Sequence, residues 1–398
     1  MWGDIAIAFM LSFMTSFVCV PMTIKLAKKV GAIDYPSERR VNVKPIPRIG
    51  GIAVIIGFLV AVVFLITTMA IQGDLNLEEE NMKMKLVGFL LGAIVLSSAA
   101  LFDDIKNLKP WMKFLAQLVA AGIVVGFGVR IDSFNNMEIP LWASIAITMF
   151  WIVGIINAIN LIDGLDGLSS GISLISCMCL LIIFATNFSP VVSIILVTAL
   201  AGAITGFLPF NIHPAKTFIG DVGAQFLGYA LAVIAIFGVA KTVTLFVLIA
   251  PILILGLPIF DTAFAIVRRI VKGKSIKAVF QADRGHLHHR LMDKGFTQKQ
   301  AVTILYGLSA TLGMSAIILI DDNWQKALAF LIVSAIVILL GYRGIKSYRK
   351  SLIEENKEQK LVDVKRLEQI EKEKEQAKAE KENAKAEKKK AKEVKKNK

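Results

Sequence analysis

The sequence predicts an all-α, polytopic integral membrane protein of about 11 transmembrane helices, N-terminus outside and C-terminus cytoplasmic. Three observations predict it. Of 398 residues, 55% are hydrophobic and the mean hydropathy is +0.65, far too apolar for a soluble globular domain. Apolar runs of about 20 residues, each able to cross ~30 Å of hydrocarbon, recur along most of the chain. Basic residues concentrate in alternate connecting loops, the pattern expected of the cytoplasmic side.

In order, the runs fall near 4–24, 50–72, 86–102, 111–129, 141–160, 168–187, 191–210, 222–240, 243–266, 300–320 and 325–342. The first is read as a span rather than a cleaved signal, because Asp4 precedes its apolar stretch and Lys25, Lys28 and Lys29 follow it. That charge order sets the N-terminus outside. The 25–49 loop adds Arg39, Arg40, Lys44 and Arg48. The next loop, around 73–81, carries the acidic stretch QGDLNLEEE, and the 267–299 loop is basic again. Cys19, Cys177 and Cys179 all fall within apolar runs, so they read as small buried residues without disulfide or metal roles.

Residues 1–343 form the membrane domain on this reading, and 344–398 a basic Lys/Glu/Ala-rich cytoplasmic tail, helical or disordered. From Arg343 onward, 20 Lys and Arg oppose 12 Asp and Glu, contributing +8 of the net +14. Such a tail suits either a clasp on anionic lipid or a solubilising appendage.

With this topology every unusual polar constellation falls on one side of the membrane. Asp103 and Asp104 in LFDDIKNL end the third run, followed by Lys106. Adjacent carboxylates repel unless a cation compensates, and hard oxygens beside phosphate suit Mg²⁺. In NAINLIDGLDGLSSG, the three-residue spacing of Asn157, Asn160 and Asp163 sets them toward one helix face. Asp166 in the same stretch also suits an N-cap for the next helix. Asn211, His213, Lys216 and Asp221 lie within NIHPAKTFIGDVG, where Asp221 suits either an N-cap or part of a phosphate site. Asp261 in PIFDT is a weaker candidate with Arg268 or Arg269 as partner. The stretch DRGHLHHRL supplies Asp283, Arg284, His286, His288, His289 and Arg290. Neither HExxH nor CxxC is present, so a cationic surface for a sugar nucleotide fits this stretch better than zinc.

LFDDIKNL, NAINLIDGLDGL, FIGDVGAQFLG, PIFDT and HLHHRL, in this order, resemble the polyprenyl-phosphate N-acetylhexosamine-1-phosphate transferases over residues 34–292. HLHHRL is more similar to the branch that starts teichoic acid, O-antigen or other surface glycans than to the phospho-MurNAc-pentapeptide branch, which stays open as an alternative. The resemblance implies transfer of GlcNAc-1-phosphate from UDP-GlcNAc to undecaprenyl phosphate, releasing UMP, with Mg²⁺ or Mn²⁺ at a cytoplasmic site in the bacterial plasma membrane. It further implies Asp221 as metal ligand with Asp104 beside it, and Asp103 orienting or deprotonating the lipid phosphate. Asn160, Asp163 and Asp166 would line the nucleotide; the reading of the loops adds Asn157, Asn211 and Lys216 as substrate-binding candidates, and Arg48, retained from the family's early-loop pattern, joins them. Lys106 would sit near phosphate or uracil, and His286, His288, His289 and Arg290 would meet the sugar or diphosphate. Asn42 in RRVNVKPIPRIGG stands where the family pattern has histidine. The resemblance leaves monomer and homodimer open and implies no nucleic-acid partner.

The phosphate monoester of the lipid is already largely dianionic near neutral pH, so alignment and charge neutralisation matter more than a strong base. Direct attack on the β-phosphorus is therefore expected, against a two-step route through Asp103. The rival from another class is a transporter of an anionic sugar or nucleotide. Transporter charges usually cluster near the bilayer midplane on broken helices, whereas these acids stand at span ends.

Overall fold

The computed structural model describes residues 2–36, 42, 44–72, 81–134, 137–187, 189–238, 245–273, 285–320 and 324–337. Arg39, Arg40, the acidic 73–80 stretch, Asp283, Arg284 and the expected tail at 344–398 lie outside the described residues. The chain divides into Met1–Leu331, which carries every element of the site, and Ile332–Lys398.

The architecture is all-α, and the protein is a multi-pass membrane protein. Its helices are α1 (Trp2–Val30), α2 (Gly51–Gln72), α3 (Met82–Lys106), α4 (Pro110–Gly126), α5 (Leu141–Ile162), α6 (Leu168–Thr186), α7 (Val191–Asn211), α8 (Gly220–Gly238), α9 (Leu245–Ile254), α10 (Gly256–Gly273), α11 (Leu287–Asp293) and α12 (Gln298–Ile320). Among the described residues two small antiparallel hairpins accompany them, β1 (Ile33–Asp34) with β2 (Ile46–Pro47) and β3 (Ser133–Phe134) with β4 (Met137–Glu138).

Eight of these, α1, α2, α3, α5, α6, α7, α8 and α12, are long and apolar enough to span a membrane. Three of the expected spans differ. The run at 111–129 folds as the 17-residue α4, and the last expected run gives a shorter apolar helix, Trp324–Val337. The run at 243–266 is broken into α9 and α10. Proline explains the break: Pro258 has no N–H to offer the carbonyl of Ile254, four residues back. Ser176 Oγ donates to that carbonyl instead, at 3.4 Å.

Apolar residues encircle α7 and α8, and both helices are buried along most of their length. A helix hydrophobic on every side belongs in the middle of a bundle. Around them pack α1 and α2 against α7, α5 and α3 against α8, and α6 against α7 and α12. On the rim, α1 exposes Met10, Met14, Phe17, Val18 and Met22, side chains suited to lipid.

The connection matters most at one end of this bundle. There α3, α5 and α7 finish, and α4, α6 and α8 begin. Pro110 opens α4 at a position where its missing N–H costs nothing. The segment before α2 is stitched to the segment before α8. Pro47 O accepts Phe218 N at 2.8 Å and Thr217 Oγ1 at 2.9 Å. Gly50 N donates to Phe218 O at 3.0 Å and Gly51 N to Ile219 O at 2.9 Å.

Candidate active site

Asp103 and Asp104 occupy the last turn of α3 and are both buried. Their carboxylates go to different places. Asp104 Oδ1 accepts the amide of Asp221 at 3.1 Å and Oδ2 that of Val222 at 2.9 Å. The first amides of a helix have no partner within it, so Asp104 caps α8 from another helix. Gly220 makes this approach feasible. Its φ is +69°, and a Cβ there would collide with the Arg48 carbonyl and lie 2.7 Å from Asp104 Oδ2.

Arg48 performs the converse service for α3. Its Nε donates to Asp104 O at 2.8 Å, and Nη2 reaches the same carbonyl and Asn107 Oδ1 at 3.0 Å. A guanidinium on the last carbonyls satisfies them and balances the negative end of the helix.

Asp103 instead faces a cation. Its Oδ1 accepts Leu108 N at 2.6 Å, and its Oδ2 is ion-paired with Lys113 Nζ. The same ammonium lies 2.7 Å from Asp221 Oδ2. Two carboxylates from α3 and α8 thus converge on one point, where Lys113 of α4 places its charge. Hard oxygens so arranged fit Mg²⁺, which takes one or two carboxylates and leaves room for phosphate. Asp221 is therefore paired with Asp103 across a cation, while Asp104 is held by amides. Among the described residues, no group of three or more His, Cys, Asp or Glu side chains forms a metal cluster.

One helical turn deeper lies a layer of amides. Gln117 Nε2 donates to Gln225 Oε1 at 3.3 Å, and Gln117 Oε1 accepts Asn157 Nδ2 at 2.6 Å. Gln117 and Gln225 each stand four residues after Lys113 and Asp221, so α4 and α8 present matched rungs. Sequence reasoning missed Lys113, Gln117 and Gln225. A signal existed, since polar residues recur at i and i+4 inside otherwise apolar runs.

The turn between α5 and α6 carries Asp163 and Asp166. Asp163 Oδ1 accepts Ser169 Oγ at 2.5 Å. Burial pushes the Asp163 carboxyl up to about 7; Ser169 opposes that rise, and the charges of Asp221 and Asp166 add to it. Asp166 Oδ2 meets His213 Nδ1 at 2.7 Å and accepts Ala215 N at 3.1 Å, joining this turn to the one before α8. Asn211 is buried, accepting Ser170 Oγ at 2.8 Å and donating to Thr217 O at 3.0 Å. Asn160 is half-buried at the end of α5.

The histidines are brought in by α10 and α11. Asp261, given Arg268 or Arg269 as its expected partner, accepts Nδ1–H of His286 at 2.8 Å and the amide of Leu287 at 2.8 Å. His288 stacks on His286 with ring centres 5.9 Å apart and touches His289 at 4.2 Å. Its ring presses on the α5–α6 turn: a Cβ on Gly164 would collide with Nε2 and lie 2.7 Å from Cε1. Burial first, then the neighbouring histidines, lower the His288 imidazole to about 3, so it is neutral at physiological pH. Lys106, Lys216 and Arg290 are exposed at this end; Lys106 Nζ lies over the Phe102 ring at 4.9 Å and Lys216 Nζ over Phe210 at 5.8 Å.

The profile for glycosyl transferase family 4 matches residues 86–239, from α3 through α8. A probable undecaprenyl-phosphate N-acetylglucosaminyl 1-phosphate transferase of Bacillus subtilis (strain 168) is 35% identical over 357 residues, covering 88% of this chain and 93% of that protein. The chain belongs to glycosyl transferase family 4. Family membership sets aside the transporter alternative. A decaprenyl-phosphate N-acetylglucosaminephosphotransferase of Mycolicibacterium smegmatis is 32% identical over 354 residues, covering 79% and 82% of the two chains. A phospho-N-acetylmuramoyl-pentapeptide-transferase of Limosilactobacillus fermentum matches less of the chain, 31% identical over 176 residues and covering 42% and 52%.

Proposed function

We propose that this family 4 enzyme transfers GlcNAc-1-phosphate from UDP-GlcNAc to undecaprenyl phosphate. The products are undecaprenyl-diphosphate-GlcNAc and UMP, and the reaction opens teichoic acid or a similar envelope polysaccharide. The observation that carries the proposal is the convergence of Asp103 and Asp221 on one cation position, where Lys113 places its ammonium. Two anionic substrates must be drawn together there, so charge neutralisation and alignment are the catalytic task. The names of the Bacillus and Mycolicibacterium relatives support a polyprenyl-phosphate acceptor and a GlcNAc-phosphate donor.

Asp221 and Asp103 would hold Mg²⁺, with Mn²⁺ as a substitute. Bound there, the metal neutralises diphosphate charge and polarises the bond to the leaving UMP. Lys113 supplies an ammonium to phosphate oxygens, and Lys106, Lys216 and Arg290 add positive potential at the mouth. Asn160, Asp163 and Asp166 line the nucleotide side, and the His286–His288–His289 stack borders the sugar. Asp104, Arg48 and Asn211 act by positioning, because their polar atoms are engaged with protein groups. The lipid phosphate, largely dianionic near neutral pH, attacks the β-phosphorus directly. The basic loops support a site on the cytoplasmic face, and the bacterial relatives support a plasma-membrane location.

The test follows UMP release from UDP-GlcNAc by the purified protein with undecaprenyl phosphate and Mg²⁺. Lipid-dependent release that chelator and Asp221→Asn both abolish is expected. Release that persists without lipid or in Asp221→Asn would overturn the assignment.

A further inference from the structure

We propose that Lys113 and the divalent cation compete for the same two carboxylate oxygens, so that metal binding frees this ammonium toward the substrate phosphates. The inference rests on the transferase reading above and assigns Lys113 two stations instead of one.

The argument begins with the oxygens. Of the four carboxylate oxygens of Asp103 and Asp104, three are engaged by backbone amides of Leu108, Asp221 and Val222. The fourth, Asp103 Oδ2, and Asp221 Oδ2 both aim at Lys113 Nζ. A Mg²⁺ ion needs oxygens at about 2.1 Å. An ammonium 2.7 Å from Asp221 Oδ2 and in contact with Asp103 Oδ2 fills that position. Two cations cannot share it, for steric reasons and because like charges a few ångströms apart repel strongly in a partly desolvated site.

Lys113 has somewhere to go. It sits in the first turn of α4, and its side chain is 29% exposed while that of Asp103 is 3% exposed. The carboxylates are fixed by amides and helix ends; the lysine is fixed only by the ion pairs and has four rotatable methylenes. Replacement of an ammonium by a dication turns the local sum of Asp103, Asp221 and Lys113 from one net negative charge to neutral plus a free ammonium. That change suits the arrival of phosphate anions. Lysine bridging also keeps two facing carboxylates compensated before metal arrives, where repulsion would otherwise drive α3 and α8 apart.

The experiment uses the full chain in detergent and reads the lysine directly. Wild-type protein is treated with an amine-acylating reagent in chelator or in Mg²⁺, and Lys113 acylation is quantified by mass spectrometry. In parallel, Mn²⁺ affinity is measured from the free-ion paramagnetic resonance signal for wild type, Lys113→Met, Lys113→Arg and Asp221→Asn. Lys113 should be protected in chelator and labelled faster in Mg²⁺. Lys113→Met should bind Mn²⁺ at least ~10-fold more tightly, and Lys113→Arg close to wild type. Equal labelling with and without Mg²⁺ overturns the exchange even if Lys113→Met binds tightly, since mere repulsion would explain the affinity. Unchanged affinity in Lys113→Met overturns it as well. The wild-type labelling arm stands whether or not the variants fold. Should wild type bind no Mn²⁺ and release no UMP, the transferase reading has failed; should it do both with Lys113 equally labelled, the exchange alone has failed.

Discussion

Asp104 accepts the amide of Val222 at 2.9 Å, a bond that joins the last turn of one helix to the first turn of another. With the Asp221 amide on its other oxygen, this carboxylate fixes where α8 begins and so where Asp221 stands. Asp104→Ala should lower stability by ~1–2 kcal/mol, as loss of an N-cap does, while Asp104→Asn, which keeps one acceptor, should lose less. Thermal unfolding in detergent checks the order. Equal midpoints for wild type and Asp104→Ala would contradict the capping role.

Gly164 and His288 form a second such contact. Gly164→Ala pushes a methyl group into the imidazole, displacing α11 from the α5–α6 turn. Turnover should fall by at least ~10-fold, since ångström-scale misplacement can cost ~100-fold. Adding His288→Ala should recover part of the loss if collision is the cause, and a double-mutant cycle of initial rates measures that coupling.

The amide layer beneath Lys113 yields a stability prediction. Gln117→Leu takes from Gln225 Oε1 its Gln117 donor and from Asn157 Nδ2 one of its two acceptors, leaving the Val153 carbonyl, at a cost of ~1–3 kcal/mol. The double variant Gln117→Leu, Gln225→Leu should cost less than the two single changes added together, because fewer buried amides are left unpaired. Apparent melting temperatures of the four proteins decide it.

Much of this architecture was legible in the chain. Hydropathy located every long span, and Asp103, Asp163, Asp166 and Asp221 stood out as acids where apolar runs end. Less visible was what each acid does. Asp103 and Asp104 are neighbours of identical chemistry, and only the fold sends one to a cation and the other to two amides. Lys113 did not stand out because its partner Asp221 is 108 residues away. The break between α9 and α10 was written in Pro258 but was masked by the apolar composition on both sides.

His288 gives the pH dependence of stability. Its folded-state pKa is lowered from 6.5 to about 3, so below 6.5 the unfolded chain takes up a proton that the folded one refuses. Its contribution is therefore full above pH 6.5 and is lost as pH falls toward 3. His288→Asn should flatten that acid slope, read as melting temperature on either side of pH 6.5.

Ser169 yields a prediction for the rate profile instead. The Asp163 carboxyl sits at about 7 with the Ser169 hydroxyl favouring its charged form. Ser169→Ala removes that bond and raises the value further, so the acid limb of the turnover profile should move to higher pH. A limb that stays in place would show that Asp163 ionisation does not control the rate.

The seam between Pro47 and Thr217 spans 170 residues of sequence. A ribosome adding ~5–20 residues per second makes the first edge of that seam roughly 10–30 s before the second. Within that interval Arg48 waits 56 residues for Asp104, whose carbonyl it caps, and Asp104 then waits a further 117 for the α8 amide that it caps. The early spans thus enter the membrane as a half-built wall, and the acidic face closes only when α8 is threaded in. Birth order makes the active site one of the last things this protein acquires.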